Sequence, residues 1–374
     1  KPVIMGISAV IILVFFVPYV ASGLAAIGKL FNSLFGWNYM LSVIVGAIVI
    51  ISYTSVGGFS AVATMDLIQS VIMTVALCII VVFGIVQAGG MDAVLAHASS
   101  LPGFLSFGQT YNAASGQAEP YGLIRIVSML AWGLGYFGMP HILVRFMAIK
   151  DTKSVKKSAI IAVVWVLISL TAAVLIGIVG RAYLDSQGVV LASSEMELIF
   201  ITTVKKLFPS FLGGIFLSAV LASIMSTADS QLLVTASAVV NDFYTIIVKK
   251  ESSEKKLMWI SRISVIIISV IACILALNPN DSIMGIVSNA WAGFGAAFGP
   301  AIVLSLYWKR LTLKGTVAGI IGGAGTVVIW EYILPNIVPA ADSLYSIIPG
   351  VIVSVILTVC VSLADKAPSK EVTD

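Results

Sequence analysis

The sequence LSAVLASIMSTADSQLLV, residues 217–234, guides the interpretation of the whole chain. Ser223, Ser226, Thr227 and Ser230 stand at positions i, i+3, i+4 and i+7, so a helix places their hydroxyls on one face. The apolar residues around them predict that this helix lies within a membrane. A row of hydroxyls at that depth is costly unless the oxygen atoms have partners.

Two interpretations of this hydroxyl row remain open. In the first, a small hard cation such as sodium uses the oxygen atoms, because oxygen ligands replace its hydration shell. In the second, each hydroxyl donates to the backbone carbonyl one turn earlier, as serine and threonine commonly do in membrane helices. Asp229 lies beside the row. A carboxylate is rarer still at membrane depth, so this residue favours the cation.

The composition predicts an all-α polytopic membrane protein. Of the 374 residues, 59% are hydrophobic and 10% are charged, and the mean hydropathy is +1.09. Soluble domains do not have that balance, whereas helices that cross the lipid bilayer do. The sequence contains no nucleophile–base arrangement, phosphate-binding loop or metal-ligand spacing. We therefore expect neither an enzyme nor a nucleic-acid-binding protein.

Ten apolar runs are each long enough to cross a bilayer core of about 30 Å. They cover residues 4–27, 40–57, 66–88, 122–145, 158–180, 211–244, 258–277, 283–308, 313–333 and 346–364. We interpret residues 1–374 as one transmembrane domain that ends in a short tail at 365–374. If the spans alternate in direction, sixteen of the 21 lysines and arginines lie on the side of the two chain ends. The positive-inside rule then predicts that both ends are cytoplasmic.

Two of the connecting segments are long, at residues 89–121 and 182–209. The first is rich in small and polar residues and is almost uncharged. The second contains an amphipathic stretch at residues 195–208, which we expect to lie on the membrane surface, because one of its faces is apolar.

The stretch WGLGYFGMP, residues 132–140, predicts a broken helix. Its three glycines and one proline unwind a helix, and free backbone groups are tolerated at membrane depth only beside a cavity or a ligand. Trp132, Tyr136 and Pro140 are four residues apart. If helicity persists they share one side and offer an aromatic wall and a phenol to a small ligand. The alternative is a glycine-mediated helix crossing in which the rings fill the core.

Two further features each have a structural explanation beside a functional one. The stretch SNAWAGFGAAFGP, residues 288–300, combines small residues with aromatic rings and a proline, and we expect it to pack closely against neighbouring helices. Asp66 stands at the predicted cytoplasmic start of the third span. An acid there either attracts cations or caps the N-terminus of the helix.

Four stretches resemble the sodium:solute symporter family, and their order and spacing are most similar to its sodium/proline branch. They are YTSVGGF at 53–59, WGLGYFGMPH at 132–141, MSTADSQLL at 225–233 and NAWAGFGAAFGP at 289–300. The resemblance extends over the whole chain and implies the leucine-transporter-type fold with its inverted repeat. It also implies that these spans are the last ten of about thirteen, so the family's first core helix, with half of each site, would precede Lys1.

The same resemblance implies the residues that bind the ligands. Sodium would be the co-transported ion, held by side-chain oxygens of Ser226 and Thr227 and by the backbone carbonyl of Ser223. Asp66 matches an acid on the sodium path. The residues that match those associated with proline binding are Tyr19, Trp132, Tyr136 and Pro140.

The sequence therefore predicts sodium-coupled uptake of L-proline by alternating access across a bacterial-type inner membrane. Within the family, the alternative is a sodium symporter for another small solute, such as pantothenate, a sugar or another amino acid. Outside it, the alternatives are a membrane sensor that binds the solute without moving it and a proton-coupled carrier that depends on Asp66 or Asp229.

Overall fold

The computed structural model describes residues 2–55, 59–244, 253–278 and 282–369. Within these ranges, nine helical segments are long and apolar enough to cross a membrane, and Tyr39–Thr54 is a shorter apolar helix. Together they correspond to the ten predicted spans, which confirms the all-α membrane architecture. The end of the second predicted span, residues 56–57, lies outside the described residues.

The first half of the chain contains long helices, short helices and a small hairpin. In chain order these elements are α1 (Pro2–Phe35), α2 (Tyr39–Thr54), α3 (Phe59–Gln87), α4 (Met91–Ser100), β1 (Gln109–Asn112), β2 (Gln117–Pro120), α5 (Leu123–Leu130), α6 (Trp132–Gly135), α7 (Pro140–Met147) and α8 (Thr152–Ser186). The two strands pair antiparallel, with Gln109 opposite Pro120. The segment at 89–121 is therefore folded into a helix and a hairpin.

The described parts of the second half of the chain contain helices joined by short connections, and no strand. A 3₁₀ turn at Ser193–Leu198 leads into α9 (Ile199–Leu207), and α10 (Ser210–Ser237) continues into a π-helical segment at Ala238–Tyr244. The remaining helices are α11 (Glu254–Leu275), α12 (Ile283–Tyr307), α13 (Leu313–Tyr332) and α14 (Ile347–Ala364). We call the end of the bundle that carries the β1–β2 hairpin the hairpin side. The opposite end, where α14 finishes, is the tail side.

Helix α1 lies in the middle of the bundle and packs against α2, α10, α11 and α12. Its buried residues include Phe16 and Ile27. Glycines allow the close approach to α2, because a Cβ at Gly28 would lie 2.6 Å from the Val43 side chain, and one at Gly46 would meet Ile27. Pro18 is accommodated inside α1 without ending the helix. This central helix therefore forms the support for the site.

Helix α12 contains the stretch at 288–300 and is the most enclosed of the candidate spans. In its most apolar window 67% of the residues are buried, against at most 33% in the others described. A Cβ at Gly295 would lie 2.8 Å from the Cα of Gly135, so α12 and α6 touch backbone to backbone. The prediction of close packing is confirmed. Pro300 lies within the continuous helix.

The amphipathic stretch at 195–208 packs its apolar face against protein, and its predicted place at the membrane surface stays a prediction. Ile201 and Val204 on α9 are buried in a cluster with residues of α3, α8 and α10, among them Leu217. The apolar face is thus covered by neighbouring helices. An amphipathic pattern indicates that one face is buried but does not indicate what buries it.

The tail predicted at 365–374 is described only as far as residue 369. Its first residue is held to the bundle, since Asp365 accepts a hydrogen bond from Lys314 Nζ at 3.0 Å and its carbonyl accepts one from Arg310. The Lys314 ammonium lowers the pKa of the Asp365 carboxyl below its ordinary value. Residues 370–374 lie outside the described residues.

Candidate functional site

The predicted helix break at 132–140 is present. Helix α5 ends at Leu130, the single turn of α6 ends at Gly135, and α7 begins at Pro140. Met139 has an extended backbone (φ −76°, ψ 110°), which suits a residue before proline. Proline is also favourable at the first position of α7, because it has no N–H to leave unpaired. Local chemistry therefore permits the division of this membrane segment into three pieces.

Four aromatic side chains meet beside the break, and we call them the aromatic cluster: Trp132, Tyr136, Trp291 and Tyr345. The Trp132 ring lies 5.5 Å from that of Tyr345 at an interplanar angle of 26°, and 5.9 Å from that of Trp291. The Tyr136 ring meets Trp291 edge-on at 4.9 Å. The structure thus brings together two of the predicted substrate residues, Trp132 and Tyr136, through a third ring.

The break also separates two cavities. Trp132 lines a cavity of about 1260 Å³ on the hairpin side, together with Ser128 and Asn289. Pro140 lines a cavity of about 540 Å³ on the tail side, together with Arg145. The expectation that Trp132 and Pro140 face one side required a continuous helix. Because the helix is broken between them, they line different cavities.

Tyr19 lies on α1 near the start of α7. Its ring is 6.4 Å from Phe16, stacked, and 6.3 Å from His141, edge-on. His141 directly follows Pro140, so these two predicted substrate residues lie at the tail-side end of the break. Trp132 and Tyr136 therefore share the aromatic cluster, and Tyr19 lies beside His141, the residue that follows Pro140.

The hydroxyls of α10 donate to their own helix. Ser226 Oγ lies 3.0 Å from the Ser223 carbonyl oxygen, and Thr227 Oγ1 lies 3.1 Å from the same oxygen. The structure thus shows the back-bonded arrangement that the sequence left open. The two roles are compatible, because a hydroxyl that donates its proton keeps two lone pairs for an ion. A cation at the Ser223 carbonyl would require both hydroxyls to turn toward it.

Asp66 belongs to a polar group one helical turn beyond Thr227. The Arg145 guanidinium forms an ion pair with Asp66 Oδ2 and donates to Ser230 Oγ at 2.7 Å. Ser230 Oγ lies 3.1 Å from the same carboxylate oxygen. Asp66 is well inside α3, which begins at Phe59, so it does not cap that helix. Its buried Oδ1 has no hydrogen-bond partner in the part of the chain that is described.

Asp229 is fully buried beside this group. The Tyr53 hydroxyl lies 2.6 Å from Asp229 Oδ2, and the backbone N–H of Ser230 donates to Oδ1 at 2.8 Å. A buried carboxylate needs such donors, since an unpaired charge in an apolar interior is costly. The described residues include no group of three or more His, Cys, Asp or Glu that could hold a metal ion.

Sequence reasoning missed Arg145, Tyr53, Trp291 and Tyr345. A signal existed for Arg145, because an arginine near the end of a membrane span needs a partner, and Asp66 is an acid in another span. The contacts of Tyr53 and Trp291 join residues more than 150 positions apart, at 176 and 159. No local pattern reports such a distance along the chain.

A membrane helix broken at glycines and proline, with cavities on both sides of the break, is typical of secondary transporters. The chain belongs to the sodium:solute symporter family, whose sequence model matches residues 1–323. It is therefore a multi-pass membrane transporter and not an enzyme.

Individual relatives are transporters as well. The chain is 44% identical to the osmoregulated proline transporter OpuE of Bacillus subtilis, over 97% of this chain and 71% of that protein. It is 41% identical to the high-affinity proline transporter PutP of Bacillus subtilis, over 98% of this chain and 74% of that protein. A sodium/proline symporter of Staphylococcus aureus is 40% identical, over 97% of this chain and 70% of that protein.

A solved structure shares the fold. It is that of a Na⁺-coupled sialic acid symporter in a substrate-bound outward-open state. The two superpose with a TM-score of 0.74 over 97% of this chain and 75% of the other, at 17% sequence identity. This likeness confirms the predicted leucine-transporter-type fold.

Proposed function

We propose that the chain carries out sodium-coupled symport of L-proline by alternating access. The observation that supports this most is the break at 132–140, which has the aromatic cluster and one cavity on one side and a second cavity on the other. Relatives at 40–44% identity that are named proline transporters point to the same substrate. Residues 1–374 then belong to one transporter domain.

The substrate segment suits a compact zwitterion. Trp132 and Tyr136 would offer apolar ring faces to the proline ring and one phenol to its polar end, and Pro140 would line the cavity through which the solute leaves. Residues 132–140 include no acid and no amide side chain, whereas a polyol such as a sugar would need several such partners. A screen of amino acids, sugars and pantothenate as competitors of labelled proline uptake tests this choice.

The sodium site is proposed at the Ser223 carbonyl and the Ser226 and Thr227 hydroxyls. Both hydroxyl oxygens already lie within hydrogen-bond distance of the Ser223 carbonyl oxygen. Sodium at the carbonyl would replace two hydroxyl donors, and the freed hydroxyl oxygens would join its coordination shell. Asp66 would lie on the path of the ion toward the tail side, with its unpartnered Oδ1 as the attracting atom.

The sodium gradient is sufficient to drive the uptake. One charge that moves through a potential of 100 mV gains about 2.3 kcal/mol, and a tenfold concentration gradient adds about 1.4 kcal/mol. Together they sustain a roughly several-hundred-fold accumulation of proline. The zwitterion has no net charge, so the membrane potential does not oppose its entry.

We place the protein in a bacterial-type inner membrane with both ends and the tail at 365–374 in the cytoplasm. The distribution of lysine and arginine supports this orientation. The tail side of the bundle is then cytoplasmic and the hairpin side external. Solute would enter through the cavity beside Trp132 and leave through the cavity beside Pro140 and Arg145.

The test is the double variant Ser226→Ala with Thr227→Val. Both substitutions remove an oxygen and keep the approximate shape, so we expect sodium-stimulated proline uptake to be abolished while the protein still folds. The measurement is labelled proline uptake into proteoliposomes with and without a sodium gradient.

A matched control exists on the same helix. Ser218 and Thr235 of α10 also donate to their own backbone, to the carbonyls of Ile215 and Gln231 at 2.6 Å each. Ser218→Ala with Thr235→Val removes the same two kinds of hydroxyl away from the proposed site, and it should keep sodium stimulation. Unchanged sodium dependence in the Ser226/Thr227 variant would refute the site.

A further inference from the structure

Trp291 of α12 contacts both rings that the proposed function assigns to the substrate. It is 8% exposed, and its ring lies 5.9 Å from that of Trp132 and 4.9 Å from that of Tyr136. Trp132 and Tyr136 are separated by one helical turn that ends at the break. Trp291 is thus a single side chain on another helix that touches both.

A hydrogen bond fixes the indole in this place. Trp291 Nε1 donates to the backbone carbonyl oxygen of Trp132 at 2.9 Å. A buried indole N–H without an acceptor is costly, so this bond selects one orientation of the ring. In that orientation the indole lies beside the Trp132 ring and meets the Tyr136 ring in a T-shaped contact.

The backbone beside Trp291 is shaped to accept the indole. A Cβ at Gly135 would overlap the Trp291 ring, and one at Gly138 would overlap the Phe294 carbonyl. Two of the three glycines of the break therefore make room for α12. Core filling alone needs only an apolar ring, whereas this arrangement also uses the indole N–H.

We infer that Trp291 is a positioning residue that sets the separation and angle of Trp132 and Tyr136, and thereby the selectivity of the site for a five-membered imino acid ring. The inference rests on the proposed function, since it takes these two rings as the substrate contacts. Trp291 acts through the Trp132 carbonyl and the two rings. Without the hydrogen bond the rings of Trp132 and Tyr136 would stay close to Trp291 but would no longer be held at one spacing.

The experiment removes the N–H and keeps the shape. In the full chain, Trp291 is replaced by 3-benzothienyl-alanine, an isostere in which sulfur takes the place of the indole N–H, and separately by phenylalanine. We measure KM and Vmax for sodium-driven proline uptake, half-saturation by sodium, and inhibition by pipecolic acid, the six-membered homologue of proline. Thermal unfolding in detergent shows whether each variant is folded.

We expect the isostere to raise the KM for proline roughly fivefold, the scale of one lost hydrogen bond. Vmax and half-saturation by sodium should change less than twofold. The preference for proline over pipecolic acid should narrow, because the ring spacing is no longer fixed. Phenylalanine should give a larger change in the same direction.

Trp165 provides the matched control. Its Nε1 also donates a hydrogen bond, to Thr74 Oγ1 at 2.9 Å, where α8 meets α3. Trp165→Phe loses one indole N–H and should leave the KM and the ring-size preference unchanged.

Two results would overturn the inference. One is an isostere with wild-type KM and wild-type selectivity. The other is an isostere in which the unfolding temperature, Vmax and sodium affinity all fall together with the affinity for proline, which would indicate a purely structural role. If the wild-type protein showed no sodium-driven proline uptake, the proposed function would fail, and this inference with it. The parallel wild-type measurement distinguishes that case from the other two.

Discussion

Two segments of this chain have nearly the same composition and opposite structures. WGLGYFGMP at 132–140 is divided into α6, an extended residue and α7, whereas WAGFGAAFGP at 291–300 lies inside the continuous helix α12. Each has three glycines, aromatic rings and a final proline. Glycine and proline permit a break, and the surroundings decide whether one occurs.

The surroundings of the two segments differ in burial. Every residue from Ala290 to Ala301 is buried, so neighbouring helices hold α12 on all sides. In the other segment Tyr136 is 47% exposed and Phe137 is 52% exposed. Helix α12 is thus enclosed on all sides and continuous through its proline, whereas the broken segment borders a cavity at Trp132 and another at Pro140. The exposed segment is the one that carries the proposed substrate residues.

The largest effect is expected where the two segments touch. Gly138→Ala places a Cβ against the Phe294 carbonyl of α12, which is backbone and cannot move aside. Overpacking of this kind costs about 3 kcal/mol, so we expect a clearly lower unfolding temperature in detergent.

Gly133→Ala is the control for this prediction. Gly133 belongs to the same segment, but a Cβ there has no neighbour within 4 Å. Its unfolding temperature should equal or slightly exceed that of the wild type, because alanine favours a helix over glycine. If both variants were equally stable, the segments would not be in the close contact described here.

The second prediction compares the two prolines. Pro140→Ala supplies an N–H at the start of α7 and lets the helix extend toward Met139, which would move the substrate residues. We expect the KM for proline to rise roughly tenfold, or about 1.4 kcal/mol. Labelled uptake at varied proline concentration measures it.

Pro300→Ala is the counterpart in α12. That helix is already continuous, so the new N–H should leave the KM within twofold of the wild type and the protein at least as stable. A larger change in KM for Pro300→Ala than for Pro140→Ala would mean that the segment at 291–300, and not the one at 132–140, carries the substrate contacts.

The architecture could be predicted from the sequence because span length and hydropathy are local properties. Each of the ten predicted spans has a helical counterpart among the described residues, although α1 and α8 extend well beyond their predicted ends. The break at 132–140 was also predictable. The enclosure of α12 could not be predicted from composition, because it depends on helices that lie far away along the chain.

The candidate site was predictable only in part, because many of its contacts join residues that are far apart along the chain. The spacing of Ser223, Ser226 and Thr227 indicated one oxygen-bearing face, and the structure brings these residues together. The ion pair of Asp66 joins residues 79 positions apart, so it depends on the tertiary fold. A sequence pattern reports which faces are polar, and the fold decides which polar groups meet.

The smallest expected effect concerns the helix that encloses α12. A Cβ at Gly325 of α13 has no neighbour within 4 Å, whereas one at Gly323 would meet the Ala296 carbonyl of α12. Because alanine favours a helix over glycine, Gly325→Ala should stabilise the protein by about 0.5–1 kcal/mol, and Gly323→Ala should destabilise it. Thermal unfolding of the two variants side by side measures the difference. If both variants raised the unfolding temperature equally, α13 would not be in close contact with α12. Enclosure could then not be the reason why the helix continues through Pro300.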